Sequence, residues 1–98
     1  MRVWLDDVRE MPKDFDVWAK TAWEAIELLN SDLVTHISFD HDLGDEIFGT
    51  GYEVAKVIEE KAFCKTLNKL TWNIHSANPV GRQNIMAAMQ NAEKFWRL

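Results

Sequence analysis

Cysteine is almost missing from this chain: Cys64 alone cannot close an internal disulfide, and a thiolate metal cage needs more sulfur than one residue supplies. Glycine and proline are sparse, four and two among 98 residues, which excludes collagen-like repeats and low-complexity tracts. Basic residues are in deficit. Eleven Lys and Arg against 16 Asp and Glu leave a formal charge of −5, the wrong sign for gripping duplex DNA or an anionic membrane surface. No apolar stretch has the length of a signal peptide h-region or a membrane span. These absences describe a protein of the reducing cytoplasm.

What is present is enough apolar matter for one core. The composition is 47% hydrophobic, with five Trp and five Phe, and the length suits a single domain over residues 1–98. The run Arg2-Val3-Trp4-Leu5 reads as a buried strand that breaks off into Asp6-Asp7. After a charged stretch containing Pro12, Val17 to Lys20 reads as an edge strand. Thr21 and Glu24 have capping-box spacing, and Ala22, Ile26, Leu29 and Leu33 recur near the helical period, which predicts a helix over 22–30. Ile37-Ser38-Phe39 is the next strand and runs into the acidic loop Asp40-His41-Asp42-Leu43-Gly44-Asp45-Glu46. Gly49-Thr50-Gly51 opens a second helix, capped by Thr50 and Glu53, that carries Val54, Ile58 and Ala62 on one face and stops near Phe63 or Cys64. Residues 70–75 alternate as a sheet strand does. Asn78-Pro79 then starts a last helix with Val80, Ile85, Met89, Ala92 and Trp96 along it.

Strands alternating with helices imply a parallel sheet with crossover helices, the α/β class, in which ligands bind outside the carboxyl ends of the strands. Three distant segments reach such ends: Asp6-Asp7, Asp40 to Asp42, and His75-Ser76-Ala77-Asn78. Gathered acids repel unless a cation neutralises them or one takes a proton, and oxygen ligands of this kind suit Mg²⁺ or Mn²⁺. The expected metal ligands are Asp7 and Asp40, with Asp6 beside them or bound through water and Asp42 as a further acid. His41 and His75 are candidate general acids or bases. His36, before its strand, is a bystander. Ser76, the amides after Asn78, and Arg82 one turn into the last helix are candidate phosphate-binding groups. Trp4 and Trp72 are read as core, and Gly49 and Gly51 as turn and helix-entry residues without the lysine of a phosphate-binding P-loop.

The segments Val3-Trp4-Leu5-Asp6-Asp7, Phe39-Asp40-His41-Asp42-Leu43-Gly44 with Thr50-Gly51-Tyr52-Glu53-Val54, and His75-Ser76-Ala77-Asn78-Pro79-Val80-Gly81 together resemble the cyclic-phosphate-processing receiver-like domain. That family is a divergent relative of response-regulator receivers. The resemblance implies a small flavodoxin-like three-layer sandwich with a mostly parallel sheet of about four strands and three helices. It also implies that Asp6 and Asp7 match the metal-binding acid pair, Asp40 the phospho-acceptor position and Ser76 the hydroxyl position. The implied role is metal-dependent phosphoesterase chemistry on cyclic nucleotides or 2′,3′-cyclic RNA ends. The partner is then a phosphate-containing small molecule or an RNA end, met by a monomer or homodimer. The chain departs from receivers in having too few residues after Asp7 for a first helix and no fifth strand with its lysine, and the added His41 and His75 favour hydrolysis over storage of an acyl phosphate. The alternatives are a non-catalytic module binding a nucleotide or protein, and an atypical phospho-accepting receiver.

Overall fold

The computed structural model describes all 98 residues. Strands β1 (Arg2–Leu5), β2 (Val17–Ala19), β3 (His36–Phe39) and β4 (Thr71–Ile74) form one sheet in the order β2-β1-β3-β4, every pair parallel. The apolar run at the N-terminus becomes a central strand because both of its neighbours are supplied by later segments. Helices α1 (Ala22–Leu29) and α2 (Gly51–Phe63) are crossovers, and α3 (Pro79–Arg97) follows β4. Each begins where the sequence placed a cap. The Thr21 hydroxyl accepts from the Glu24 N–H, the Thr50 hydroxyl from the Glu53 N–H, and the Asn78 amide oxygen from the Gly81 N–H. The elements end within a residue or two of their expected bounds, as frayed termini do.

Strand alternation divides the sheet into two unlike faces. Val3, Leu5, Ile37, Phe39 and Ile74 share one face and join Leu29, Ile58, Ile85 and Met89 from all three helices in a single core cluster of 21 buried residues. Burying each large apolar side chain there contributes about 1.5–3 kcal/mol before entropy is subtracted. The opposite face carries Trp4, His36, Ser38, Asn73 and His75, and no helix lies over it. The third layer of the sandwich is instead the segment 6–16 between β1 and β2: Phe15 packs edge-on to Trp4 at 5.2 Å between ring centroids, and the Trp4 indole N–H donates to the Arg9 carbonyl at 2.9 Å. The connection too short for a helix thus leaves a polar, aromatic sheet face roofed by a strap.

Three further details depart from the sequence reading. Leu33 lies past the end of α1 and is 62% exposed, and Val80 in the first turn of α3 is 66% exposed, so neither belongs to the core. His36 is the first residue of β3 and its Nδ1 pairs with the Thr71 hydroxyl at 2.7 Å. A one-turn 3₁₀ segment, Glu46–Phe48, interrupts the loop before α2, its first turn capped by Asp45. No helix is long and apolar enough to cross a membrane.

Candidate metal centre and its proton-transfer groups

Asp6, Asp7 and Asp40 meet at the carboxyl end of the sheet because β1 and β3 are adjacent and in register, with Leu5 beside Phe39. One carboxylate oxygen from each lies within 4.8 Å of the others, close enough for a shared cation. The three are not equivalent. Asp6 is fully buried and its carboxylate is saturated: Oδ1 accepts the backbone N–H of Val8 and Arg9 at 2.9 and 2.8 Å, and Oδ2 accepts His75 Nε2 at 2.9 Å and the Arg9 guanidinium at 3.1 Å. Burial pushes its pKa up, but these hydrogen bonds together outweigh burial and hold it below the ordinary value. Asp40 is pushed up, first by burial and then by the Asp6 charge, while the His41 N–H and Arg9 pull the other way. Asp7 is half-buried and makes no hydrogen bond through its side chain in the structure, which makes it the acid most available to a ligand.

Arg9 is the residue that sequence reasoning missed. Its guanidinium reaches Asp6 Oδ2 at 3.1 Å and Asp40 Oδ2 at 3.5 Å, so part of the acid repulsion is relieved by a resident cation. The only local signal was its position three residues after Asp6, inside a stretch of alternating charge. Three carboxylates against one guanidinium still leave two negative charges, which one divalent ion cancels. The oxygen-only donor set and the open Asp7 fit such an ion.

The two candidate histidines stand in different surroundings. His75 is held on both ring nitrogens: Nε2 meets Asp6, and Nδ1 meets the Ser38 hydroxyl at 2.7 Å. Burial lowers its pKa despite Asp6 and so favours the neutral ring, and the carboxylate beside Nε2 places the ring proton on that nitrogen. Nδ1 then accepts from the Ser38 O–H, and Ser38 accepts from the Asn73 amide at 3.3 Å. The ring also stacks flat on Trp4, 3.9 Å between centroids at an interplanar angle of 4°. Trp4 is therefore core and at the same time a platform. Ser38 completes an Asp-His-Ser chain but is fully buried, which denies it any substrate.

His41 is held on one side only. Its Nδ1 meets Asp42 Oδ1 at 3.0 Å, Asp42 Oδ2 accepts the Asn78 amide at 3.2 Å, and Asn78 in turn caps α3. The carboxylate fixes the Nδ1–H tautomer and leaves the Nε2 lone pair free. Asp42 is exposed and stands outside the three-acid cluster; the His41 and Asn78 hydrogen bonds lower its pKa. Gly81 makes room for this arrangement, since a Cβ there would lie 2.4 Å from His41 Cγ. Gly81→Ala is expected to destabilise the fold by about 1–3 kcal/mol, although the same change in a helix with free space is favourable by up to about 1 kcal/mol. Chemical denaturation reads the sign directly. At Gly51, where a Cβ would stand 1.9 Å from the Asp40 carbonyl oxygen, α2 approaches the β3 end just as closely.

The remaining expected ligand groups are engaged locally. The Ser76 hydroxyl is buried and accepts the Asn78 N–H at 3.1 Å. One nitrogen of Arg82 donates to the Ile74 and Ser76 carbonyls at 3.0 and 3.1 Å, tying α3 to the β4 end.

A parallel α/β sheet with acids from its two central strand ends and a hydroxyl at the end of the next defines a receiver-like domain. The match that extends this is to the cyclic-phosphate processing receiver domain, over residues 1–91, and the chain belongs to that family. No curated protein and no solved structure matches it.

Proposed function

We propose that this domain is a divalent-metal-dependent phosphoesterase that opens a cyclic phosphodiester, on a cyclic nucleotide or a 2′,3′-cyclic RNA end. The observation that carries the reading is the three-acid cluster of Asp6, Asp7 and Asp40, two charges short of neutrality beside Arg9, in a family tied to cyclic-phosphate processing. Asp7 and Asp40 would hold Mg²⁺ or Mn²⁺ directly, and the saturated Asp6 orients Arg9 and His75 around them. When bound, the ion supplies electrostatic stabilisation of charge on the phosphate oxygens. His41 Nε2 takes a proton from the attacking water as the new O–P bond forms, while Asp42 steadies the charged ring. The ring P–O bond breaks, and the proton passes to the departing sugar oxygen, leaving a phosphomonoester. Ser76, buried and occupied by the Asn78 N–H, is left to shape the end of β4 and does not itself hold the phosphate.

The test is turnover of 3′,5′-cyclic nucleotides and 2′,3′-cyclic phosphates with Mg²⁺ or Mn²⁺. Activity that disappears on chelation and in Asp7→Ala supports the reading; no turnover of any cyclic phosphate by the folded parent rejects it. In the absence of substrate, metal at 100 times its Kd raises stability by about 2.7 kcal/mol in the parent and not in Asp7→Ala. Arg9 lends weight to a second reading, a non-catalytic module that binds a nucleotide or a protein, because it partly balances the acids without an ion. That reading expects binding to survive His41→Ala with no turnover in the parent.

A further inference from the structure

Next to Asp7 the surface opens into a cleft of about 240 Å³ lined by Asp7, Lys20, Thr21, Leu43, Gly44 and Phe48. We infer that this cleft is the seat of a nucleobase, so that the substrate class is a nucleoside cyclic phosphate whose base stacks on Phe48 while its phosphate sits between Asp7 and Lys20. The inference rests on the phosphoesterase reading and adds what lies beyond the phosphate.

Five observations carry it. The cleft shares Asp7 with the acid cluster, so a ligand there is continuous with the reacting phosphate. Its size is below the roughly 300–1,000 Å³ of a pocket that encloses a whole drug-sized ligand, which suits one part of a ligand anchored elsewhere. Gly44, at a φ of 93°, separates the acid from the aromatic: a Cβ there would stand 3.5 Å from Asp7 Oδ2 and 3.6 Å from Phe48 Cδ2, so a planar group resting on the ring lies one sugar's reach from the carboxylate. Phe48 is 39% exposed, and the turn that carries it is tied down. The Trp23 indole N–H donates to the Ile47 carbonyl at 2.7 Å and pins the 3₁₀ turn that presents the ring. An exposed aromatic on a pinned turn, at a cleft whose surface is mostly apolar, is a stacking platform for any base. Lys20 is the one cation in the lining, its ammonium steadied over the Trp18 ring at 4.6 Å from the centroid, and it supplies the positive charge a phosphate ester needs opposite Asp7.

The larger grooves do not compete. One, lined by Trp18, Glu24 and Glu27, has acids and no cation; the other, by Phe63 and Phe95, has its Lys56 paired with Glu59 at 2.6 Å.

The experiment is calorimetric titration of the parent, Phe48→Ala, Phe48→Leu and Lys20→Gln in Mn²⁺ with two probes: a non-hydrolysed phosphorothioate analogue of a nucleoside cyclic phosphate, and inorganic phosphate. Phe48→Ala is expected to weaken the nucleotide about tenfold and leave phosphate and Mn²⁺ binding unchanged, with Phe48→Leu close to Phe48→Ala because stacking rather than bulk is lost. Lys20→Gln is expected to weaken both probes by a similar factor. Equal nucleotide affinity in the parent and both Phe48 variants overturns the base seat while leaving the phosphoesterase reading intact. Failure of the parent to bind Mn²⁺ or either probe overturns both.

Discussion

His41→Ala is expected to lower kcat on a cyclic phosphate by at least about 100-fold, the usual contribution of a positioned acid–base group, while the melting temperature stays within a few degrees of the parent. The reason is the asymmetry of the ring's surroundings. Only Nδ1 is occupied, by Asp42, and Asp42 keeps the Asn78 amide when the imidazole is gone. His75→Ala is expected to behave otherwise. It strips a hydrogen bond from the buried Asp6 carboxylate, takes away the acceptor of the buried Ser38 O–H and removes the ring stacked on Trp4. Each unsatisfied buried polar group costs about 1–3 kcal/mol, so this variant loses stability along with any activity. Steady-state kinetics with parallel thermal melts separates the two. Parental kcat in His41→Ala removes that residue from the reaction.

Asp40→Asn is expected to raise the melting temperature in the presence of a chelator. The sign follows from linkage. Burial and the Asp6 charge raise the pKa of Asp40 in the folded state, so its ionisation works against folding. That cost is fully present above the folded pKa and vanishes below the unfolded value, 3.8. Asp6 runs the other way: its lowered pKa contributes stability above 3.8 that is lost as pH falls through its folded pKa. The advantage of Asp40→Asn over the parent should therefore be largest near neutral pH and shrink as the solution is brought toward pH 4. Divalent metal should close the gap from the other side, stabilising the parent more than the variant. Melts across pH, with chelator and with Mg²⁺, test both, and a variant less stable than the parent at pH 7 without metal contradicts the argument.

The parts of this molecule written in consecutive residues were legible. Thr21 with Glu24, Thr50 with Glu53 and Asn78 with Pro79 mark helix starts because capping is a matter of three or four neighbouring residues. Asp6-Asp7 and Asp40 announce strand ends because charge cannot continue a buried apolar run, and a parallel sheet brings such ends to one rim. What was not legible depends on register. Ser38 looks like any polar residue in a strand until β3 and β4 are aligned, and only then does it meet His75. Arg9 belongs to a segment with no period at all, and its pairing with Asp40 exists only because the strap folds back over the sheet. Asp42 reads as a metal ligand beside Asp40, yet the chain turns between them and gives it to His41 instead. Trp72 is partly buried against the core as expected, with its indole N–H donating to Glu93 at 2.9 Å.

The outermost ladders of the sheet are only three residues long on β2 and four on β4. An intruding chain laid along either border would find just a few rungs before the backbone turns away, too short a template to seed stacking of one molecule upon the next. Short border strands therefore offer little purchase for edge-to-edge pairing.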